Sequence, residues 1–159
     1  SWGYKSTNPS DSTFFDYHQF NGTRDFSAYL TIPKALEFMQ ENDWGNISSY
    51  CRKLTQENAF RFVELLGSYT LAPVDDNFFG QLCSLPIKTN EPEKLYQLLH
   101  DKYKIEIPVI IHEDKVFMRY SIQAFNEKRD LDMLYDSLSD IISTTNLIDS
   151  KYPHSLNML

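Results

Sequence analysis

The feature that most limits the fold is a long proline-free stretch between Gly45 and Gly67. Its apolar residues recur every three or four positions, a spacing that places them on one side of an α-helix. The stretch therefore predicts an amphipathic helix of about six turns. A helix of this kind is stabilised mainly by packing its apolar side against another layer. The apolar positions are Ile47, Tyr50, Cys51, Leu54, Phe62, Leu65 and Leu66.

The remaining patterns predict strands and shorter helices. Three β-prone runs occupy residues 79–87, 108–111 and 116–122, and the loop between the last two suits a hairpin. Helices are predicted from Thr31 to about residue 41, after a capping-box pattern at residues 90–93, and behind Asn126 as N-cap. The order helix, helix, strand, helix, hairpin, helix predicts an α/β fold whose mainly antiparallel sheet is covered by helices.

The chain divides into three parts by pattern. Residues 1–31 combine turn signals with aromatic residues and predict an extended arm, which should lie against an apolar surface in this chain or in a partner. Residues 32–143 contain the periodic patterns and predict one small α/β domain. Residues 144–159 have no periodicity and predict a loose tail.

Charge and composition restrict the partners. The chain has 22 acidic and 15 basic residues, a formal charge of -7, which argues against binding to nucleic acid. No apolar run approaches the roughly 20 residues of a membrane helix, and the first residues lack a signal-peptide pattern. We therefore expect a cytoplasmic protein with no membrane partner, although a targeting segment could lie upstream of Ser1.

The two cysteines, Cys51 and Cys83, are far apart in sequence. Neither has the spacing to another cysteine or histidine that a metal site requires. We interpret them as buried, reduced thiols, with a redox-active pair as the alternative.

Arg119 interrupts an otherwise apolar strand. If residues 116–122 alternate, Arg119 points away from the side that carries the large apolar residues. A guanidinium fixed on a strand can bind a carboxylate through two parallel hydrogen bonds, as a site for an amino acid or keto acid requires. The alternative is an ordinary arginine facing solvent. The residues on the opposite side are Val116, Met118, Tyr120 and Ile122.

A second candidate site is the run Asn21-Gly22-Thr23-Arg24-Asp25, just before a helix. Glycine lets the backbone approach an anion closely, and the threonine hydroxyl and neighbouring N–H groups can donate to phosphate oxygens. The alternative is an ordinary turn that leads into the helix. The sequence contains no glycine-rich phosphate loop, nucleophile elbow or metal-spaced cluster.

These two sites occur within a longer resemblance. Residues 21–30, followed by residues 32–38, resemble the segment that opens the C-terminal domain of isopenicillin N epimerase-like class V aminotransferases. Residues 1–3 resemble the strand and turn after that family's cofactor-binding lysine. The run Met118-Arg119-Tyr120-Ser121, with Phe125-Asn126 and a helix after it, resembles the family's closing strand. The resemblance covers about residues 1–142 in the same order.

The resemblance implies an architecture and a set of partners. The family has the fold of aspartate aminotransferase, in which a large domain holds pyridoxal 5'-phosphate and a small C-terminal domain follows. It works as a homodimer with composite active sites. The chain would then be the small domain, and residues 1–31 would be the arm and linker from a missing N-terminal cofactor domain.

The resemblance also implies roles for single residues. Thr23, with Gly22, would reach the cofactor phosphate of the neighbouring subunit, and Arg119 would bind the substrate's α-carboxylate. Arg24 would line the site or pair with Asp25. The Schiff-base lysine should lie upstream of Ser1, because Lys5 lacks the surrounding family pattern and is interpreted as a surface lysine. The chain alone should therefore have no catalytic residue and be inactive.

Two classes of function are compatible with the sequence. The leading hypothesis is part of an enzyme acting on a small amino acid by epimerisation, transamination, desulfuration or C–S lysis. Cys83 lies well upstream of Arg119 within an apolar strand, which counts against a cysteine desulfurase. The alternative hypothesis is a stand-alone, non-catalytic domain that binds a carboxylate ligand or a protein.

Overall fold

The structure is a computed structural model and describes residues 10–18 and 25–150. The chain divides into two compact units, residues 1–44 and residues 45–159. The elements in the described ranges are, in chain order, α1 (Thr13–His18), α2 (Ser27–Leu30), α3 (Ile32–Glu41), α4 (Trp44–Leu66), β1 (Leu82–Ile87), α5 (Pro92–Asp101), β2 (Val109–His112), β3 (Lys115–Ser121) and α6 (Lys128–Thr144).

The described residues of the first unit form three short helices. None of α1, α2 and α3 contains a buried residue. Helix α3 confirms the helix predicted after Thr31, with Pro33 in its first turn where the missing N–H costs nothing. It ends at Glu41, and the side-chain amide of the C-cap residue Asn42 donates to the Phe38 carbonyl at 2.8 Å. The apolar residues Leu36 and Phe38 are exposed.

The second unit begins with the long helix. Helix α4 confirms the amphipathic helix predicted between Gly45 and Gly67. Gly67 has a φ of 56°, a left-handed conformation that ends helices and that glycine adopts without strain. The helix buries the residues on its apolar side, namely Cys51, Leu54, Thr55, Asn58, Ala59, Phe62 and Leu66.

The three strands form one sheet, which is antiparallel as the sequence predicted, and the structure gives their order as β1-β3-β2. In the register, Ser84 of β1 faces Arg119 of β3. The hairpin between β2 and β3 is tighter than the predicted loop of residues 112–115, because His112 pairs with Lys115. Glu113 in the two-residue turn has a positive φ of 53°, as the favoured hairpin turns require.

Helices cover one face of this sheet. The alternate residues of β1 and β3 that point to this face are buried, except half-buried Val116, and they form one core with residues of α4, α5 and α6. This arrangement is a mixed α/β fold with a small three-stranded sheet. The sheet residues in the core are Cys83, Leu85, Ile87, Met118 and Tyr120.

Both predicted helix caps are wrong by one residue. Glu91 is the N-cap of α5 and no side chain caps it, so the predicted capping box at residues 90–93 is absent. Helix α6 begins after Glu127, which forms a reciprocal capping box with Asp130. Asn126, the predicted N-cap, instead accepts the backbone N–H of Gln123 at 2.9 Å. In α6, hydrogen-bond geometry selects Glu127 over the adjacent polar residue Asn126.

The segment after α6 belongs to the predicted loose tail, but its first residues pack into the core of the second unit. Leu147 and Ile148 are buried. The backbone N–H of Asp149 donates to the Lys88 carbonyl at 3.0 Å. Residues 151–159 of the predicted tail lie outside the described residues.

Candidate functional site

Arg119 lies near the middle of the central strand of the sheet. The strand alternates as predicted, since Met118 and Tyr120 are buried and Arg119 is exposed. Its backbone N–H donates to the Pro108 carbonyl at 3.1 Å, so the backbone is held by the sheet. A strand position of this kind limits the movement of the base of the side chain while its end remains accessible.

We call the side of the sheet that carries Arg119 the outer face. Within residues 10–18 and 25–150, the Arg119 guanidinium makes no hydrogen bond or ion pair. The three strands contain no aspartate or glutamate. An arginine without a carboxylate neighbour on its own sheet face can accept a carboxylate from a ligand. The strand residues on the outer face are Leu82, Ser84 and Pro86 of β1, Ile110 and His112 of β2, and Lys115, Phe117, Arg119 and Ser121 of β3.

The opposite face is closed and contains a cysteine and a tyrosine side by side. Cys83 pairs with Tyr120 in the register, and the Tyr120 hydroxyl donates to the Thr55 carbonyl of α4 at 2.7 Å. Burial raises the pKa of the Cys83 thiol to about 11, which suppresses the thiolate. The predicted burial of Cys51 and Cys83 is confirmed, and both thiols are free. Cys83 faces away from Arg119 and is not placed to act beside it.

The predicted phosphate site cannot be located on the fold. Gly22, Thr23 and Arg24 lie outside the described residues, as does Lys5. The neighbouring Asp25 is described, and its carboxylate accepts hydrogen bonds from the backbone N–H and the hydroxyl of Ser27, each at 2.8 Å. These hydrogen bonds lower the pKa of Asp25 and fix the entry into α2.

The sequence patterns did not identify Ser84 as a neighbour of Arg119. It is half-buried on the outer face and directly faces Arg119. A single serine in an apolar strand carries no signal in the sequence, because its partner is 35 positions away. Among the described side chains, no cluster of three or more histidine, cysteine, aspartate or glutamate residues could hold a metal ion.

No protein-family model matches the chain. It is 26% identical over 152 residues to isopenicillin N epimerase of Amycolatopsis lactamdurans, an alignment that covers 89% of this chain and 38% of that protein. It is also 26% identical over 136 residues to a probable L-cysteine desulfhydrase, chloroplastic, of Arabidopsis thaliana, covering 76% of this chain and 29% of that protein. The chain is a relative of class V aminotransferase-like enzymes.

This relationship confirms the resemblance found in the sequence. Both relatives are class V aminotransferase-like enzymes that depend on pyridoxal phosphate. The chain spans well under half of the length of each of these two relatives. In the described part of the chain, no helix is long and apolar enough to cross a membrane.

Proposed function

We propose that this class V aminotransferase-like chain supplies the small C-terminal domain of a pyridoxal-phosphate-dependent enzyme acting on a small amino acid. Residues 32–143 would form that domain in the aspartate aminotransferase-like fold, and residues 1–31 would be the arm from an N-terminal cofactor domain. The resemblance and the two relatives support this proposal. The helix-covered antiparallel sheet agrees with it.

Arg119 is the residue that we propose for the substrate's carboxylate. The observation that carries this role is an exposed guanidinium on the outer face, with no partner in the described ranges and no part in the core. Charged groups on folded proteins usually pair or remain fully solvated at the ends of long surface side chains. A strand-fixed cation on an open sheet face fits a planar anion that arrives from outside.

The cofactor would be held mainly by residues that the structure does not describe. When bound, pyridoxal phosphate stabilises negative charge at the carbon next to the substrate's amino group. We propose that Thr23 and Gly22, with Arg24 close by, contact the cofactor phosphate of the neighbouring subunit in a homodimer. The lysine that holds the cofactor covalently would lie in the N-terminal domain, so the chain alone would be inactive. The described donors on the outer face fit the substrate's carboxylate.

The reaction would be of the epimerase or C–S lyase type, in keeping with the names of the two relatives. A reactive cysteine from this domain is not part of the proposal. Cys83 is buried on the opposite face from Arg119, and its raised pKa keeps the thiol protonated.

The role of Arg119 can be tested by substitution in the complete protein that contains this chain. Arg119→Ala should lower kcat/KM for the amino-acid substrate by about 2 to 5 kcal/mol, because a charge-assisted pair in a closed site is lost. Arg119→Lys should restore part of the loss, since it keeps the charge without the planar fork. Arg129→Ala, at an exposed arginine on α6, is the matched control and should leave kcat/KM unchanged.

Two further measurements make the result specific. The absorbance spectrum of the bound cofactor should be the same in all variants, because the carboxylate contact is made only by the substrate. The unfolding midpoint should also be unchanged, since Arg119 is outside the core. Normal kcat/KM in Arg119→Ala would show that this arginine is only a surface residue.

A further inference from the structure

Ser84 and Arg119 face each other across two antiparallel strands, in the kind of pair whose side chains lie closer together. The Ile122 N–H donates to the Gln81 carbonyl at 2.8 Å, so residues 81 and 122 are a hydrogen-bonded pair. Hydrogen-bonded and non-hydrogen-bonded pairs alternate along antiparallel strands. Residues 84 and 119, three positions further along the register, are therefore a non-hydrogen-bonded pair. In such pairs the Cα atoms are only about 4.5 Å apart and the side chains are closest.

Two other observations agree with this register. The Arg119 N–H donates to the Pro108 carbonyl, on the side of β3 away from β1. This direction is expected for a residue that is not hydrogen-bonded to β1. Pro86, two residues beyond Ser84, has no N–H and faces Phe117, a position at which β1 needs no donor toward β3. The carbonyl of Pro86 accepts the Ser68 hydroxyl at 2.5 Å, so it also points away from β3.

The hydroxyl of Ser84 is available to a ligand. It makes no hydrogen bond within the part of the chain that the structure describes. Serine hydroxyls on the helices behave differently: those of Ser49 and Ser137 donate to the carbonyl four residues earlier in their own helix. A strand offers no such carbonyl to Ser84, which leaves its donor free.

The outer face thus places the Arg119 guanidinium opposite the Ser84 hydroxyl, with apolar residues near them. Leu82 and Ile110 are exposed on the same face, and Phe117 is half-buried there. No strand residue on this face carries a negative charge. A group with two acceptor oxygens can receive the guanidinium and the hydroxyl at once, whereas a neutral amide offers only one acceptor.

We propose that Ser84 Oγ donates a second hydrogen bond to the carboxylate that Arg119 binds. The inference rests on the proposed function, because it requires Arg119 to hold a carboxylate. It adds a binding residue on the edge strand β1. The substrate's carboxylate would then lie between β1 and β3, and its orientation would be set by two strands.

Direct binding to the full chain tests this pair without the cofactor. Propionate is titrated into the ¹⁵N-labelled chain while the Arg119 side-chain N–H and the backbone N–H of Ser84 are followed by NMR. Propionamide, the neutral isostere, is the ligand control. We expect saturable shifts at both groups with propionate only, and loss of saturation in Arg119→Ala.

Variants at Ser84 distinguish the inference about Ser84 from the proposed role of Arg119. Ser84→Ala should weaken propionate binding about threefold to tenfold, the effect of one hydrogen bond to a charged group at a partly exposed site. Ser84→Thr should restore most of the affinity, since it keeps the hydroxyl. Ser143→Ala is the control, because it removes the hydroxyl of exposed Ser143 on α6. This variant should bind propionate as tightly as the unchanged chain does.

Each outcome has one meaning. If Arg119→Ala abolishes binding while Ser84→Ala matches the unchanged chain, the Ser84 inference is wrong and the role of Arg119 stands. If neither substitution alters binding, or if no saturable shift occurs at Arg119, the proposed carboxylate site itself is wrong. Equal shifts with propionamide would also overturn the inference, because they would show binding without the charge.

Discussion

Tyr120 connects the sheet to α4 through a single buried hydroxyl. The ring packs against Phe62 with centroids 5.3 Å apart, and the hydroxyl donates to the Thr55 carbonyl at 2.7 Å. Burial raises the pKa of Tyr120 and raises that of its neighbour Cys83 to about 11. The folded state therefore favours the protonated, neutral form of both groups.

This local chemistry predicts a loss of stability at alkaline pH. The pKa of Cys83 in the folded state is raised above its ordinary value of 9.0. The contribution of the protonated thiol to the free energy of unfolding is therefore fully present below about pH 9 and is lost as the pH rises toward about 11. The expected slope for this one proton is about 1.4 kcal/mol per pH unit. Urea unfolding across that range measures it.

The control for this prediction is Cys83→Ala, which removes the titrating thiol. Its free energy of unfolding should fall less steeply over the same pH range. An identical slope in the two proteins would show that Cys83 does not titrate with unfolding. The loss of stability would then come from Tyr120 or Cys51, because burial also raises the pKa of each of these residues.

At the scale of elements, α4 shows how regularly spaced apolar residues on one side of a helix form part of a core. Phe60 and Phe62 are two residues apart, and so they point to nearly opposite sides of the helix. Phe60 is 62% exposed, whereas Phe62 is 0% exposed and packs against Tyr120 and Tyr135. Next to it, Arg61 pairs with Asp132 of α6 at 2.5 Å.

The two phenylalanines provide a matched test of this arrangement. Phe62→Ala should lower the free energy of unfolding by about 3 to 5 kcal/mol, because it leaves a cavity between α4, the sheet and α6. Phe60→Ala should change it by no more than about 0.5 kcal/mol. Urea unfolding of both variants measures the difference, and similar losses would mean that α4 does not pack on the sheet through this side.

At the scale of the whole chain, the two compact units differ in how they are stabilised. The described helices of residues 1–44 contain no buried residue, although they carry apolar side chains. Residues 45–150 contain the core of α4, the sheet, α5 and α6. A helix without buried contacts opens at little cost in free energy, whereas opening α4 requires loss of core contacts.

Limited proteolysis should separate the two units. Lys34 on α3 and Lys53 on α4 have the same side-chain exposure, 73%. Trypsin should nevertheless cut after Lys34 well before Lys53, because cleavage needs local unfolding rather than exposure alone. Mass spectrometry of an early time course measures the order. Equal rates at the two lysines would contradict the difference in local stability.

Features that depend only on neighbouring residues could be predicted from the sequence alone. The spacing of apolar residues every three or four positions in α4 and the alternation of side chains in β3 follow from local backbone geometry. The long helix and the outward direction of Arg119 could therefore be predicted. The resemblance was also present in short runs of residues. The roles of Arg119, Gly22, Thr23 and Arg24 stay predictions, because a role depends on a ligand or on residues beyond those described.

Which distant residues meet depends instead on how the elements pack together. The tertiary structure placed Ser84 opposite Arg119, because the register of β1 against β3 is set by the packing of both strands on the helices. It buried Leu147 and Ile148, although the segment after α6 has no periodicity. Contacts of this kind depend on geometry between separate parts of the chain, which local patterns do not encode.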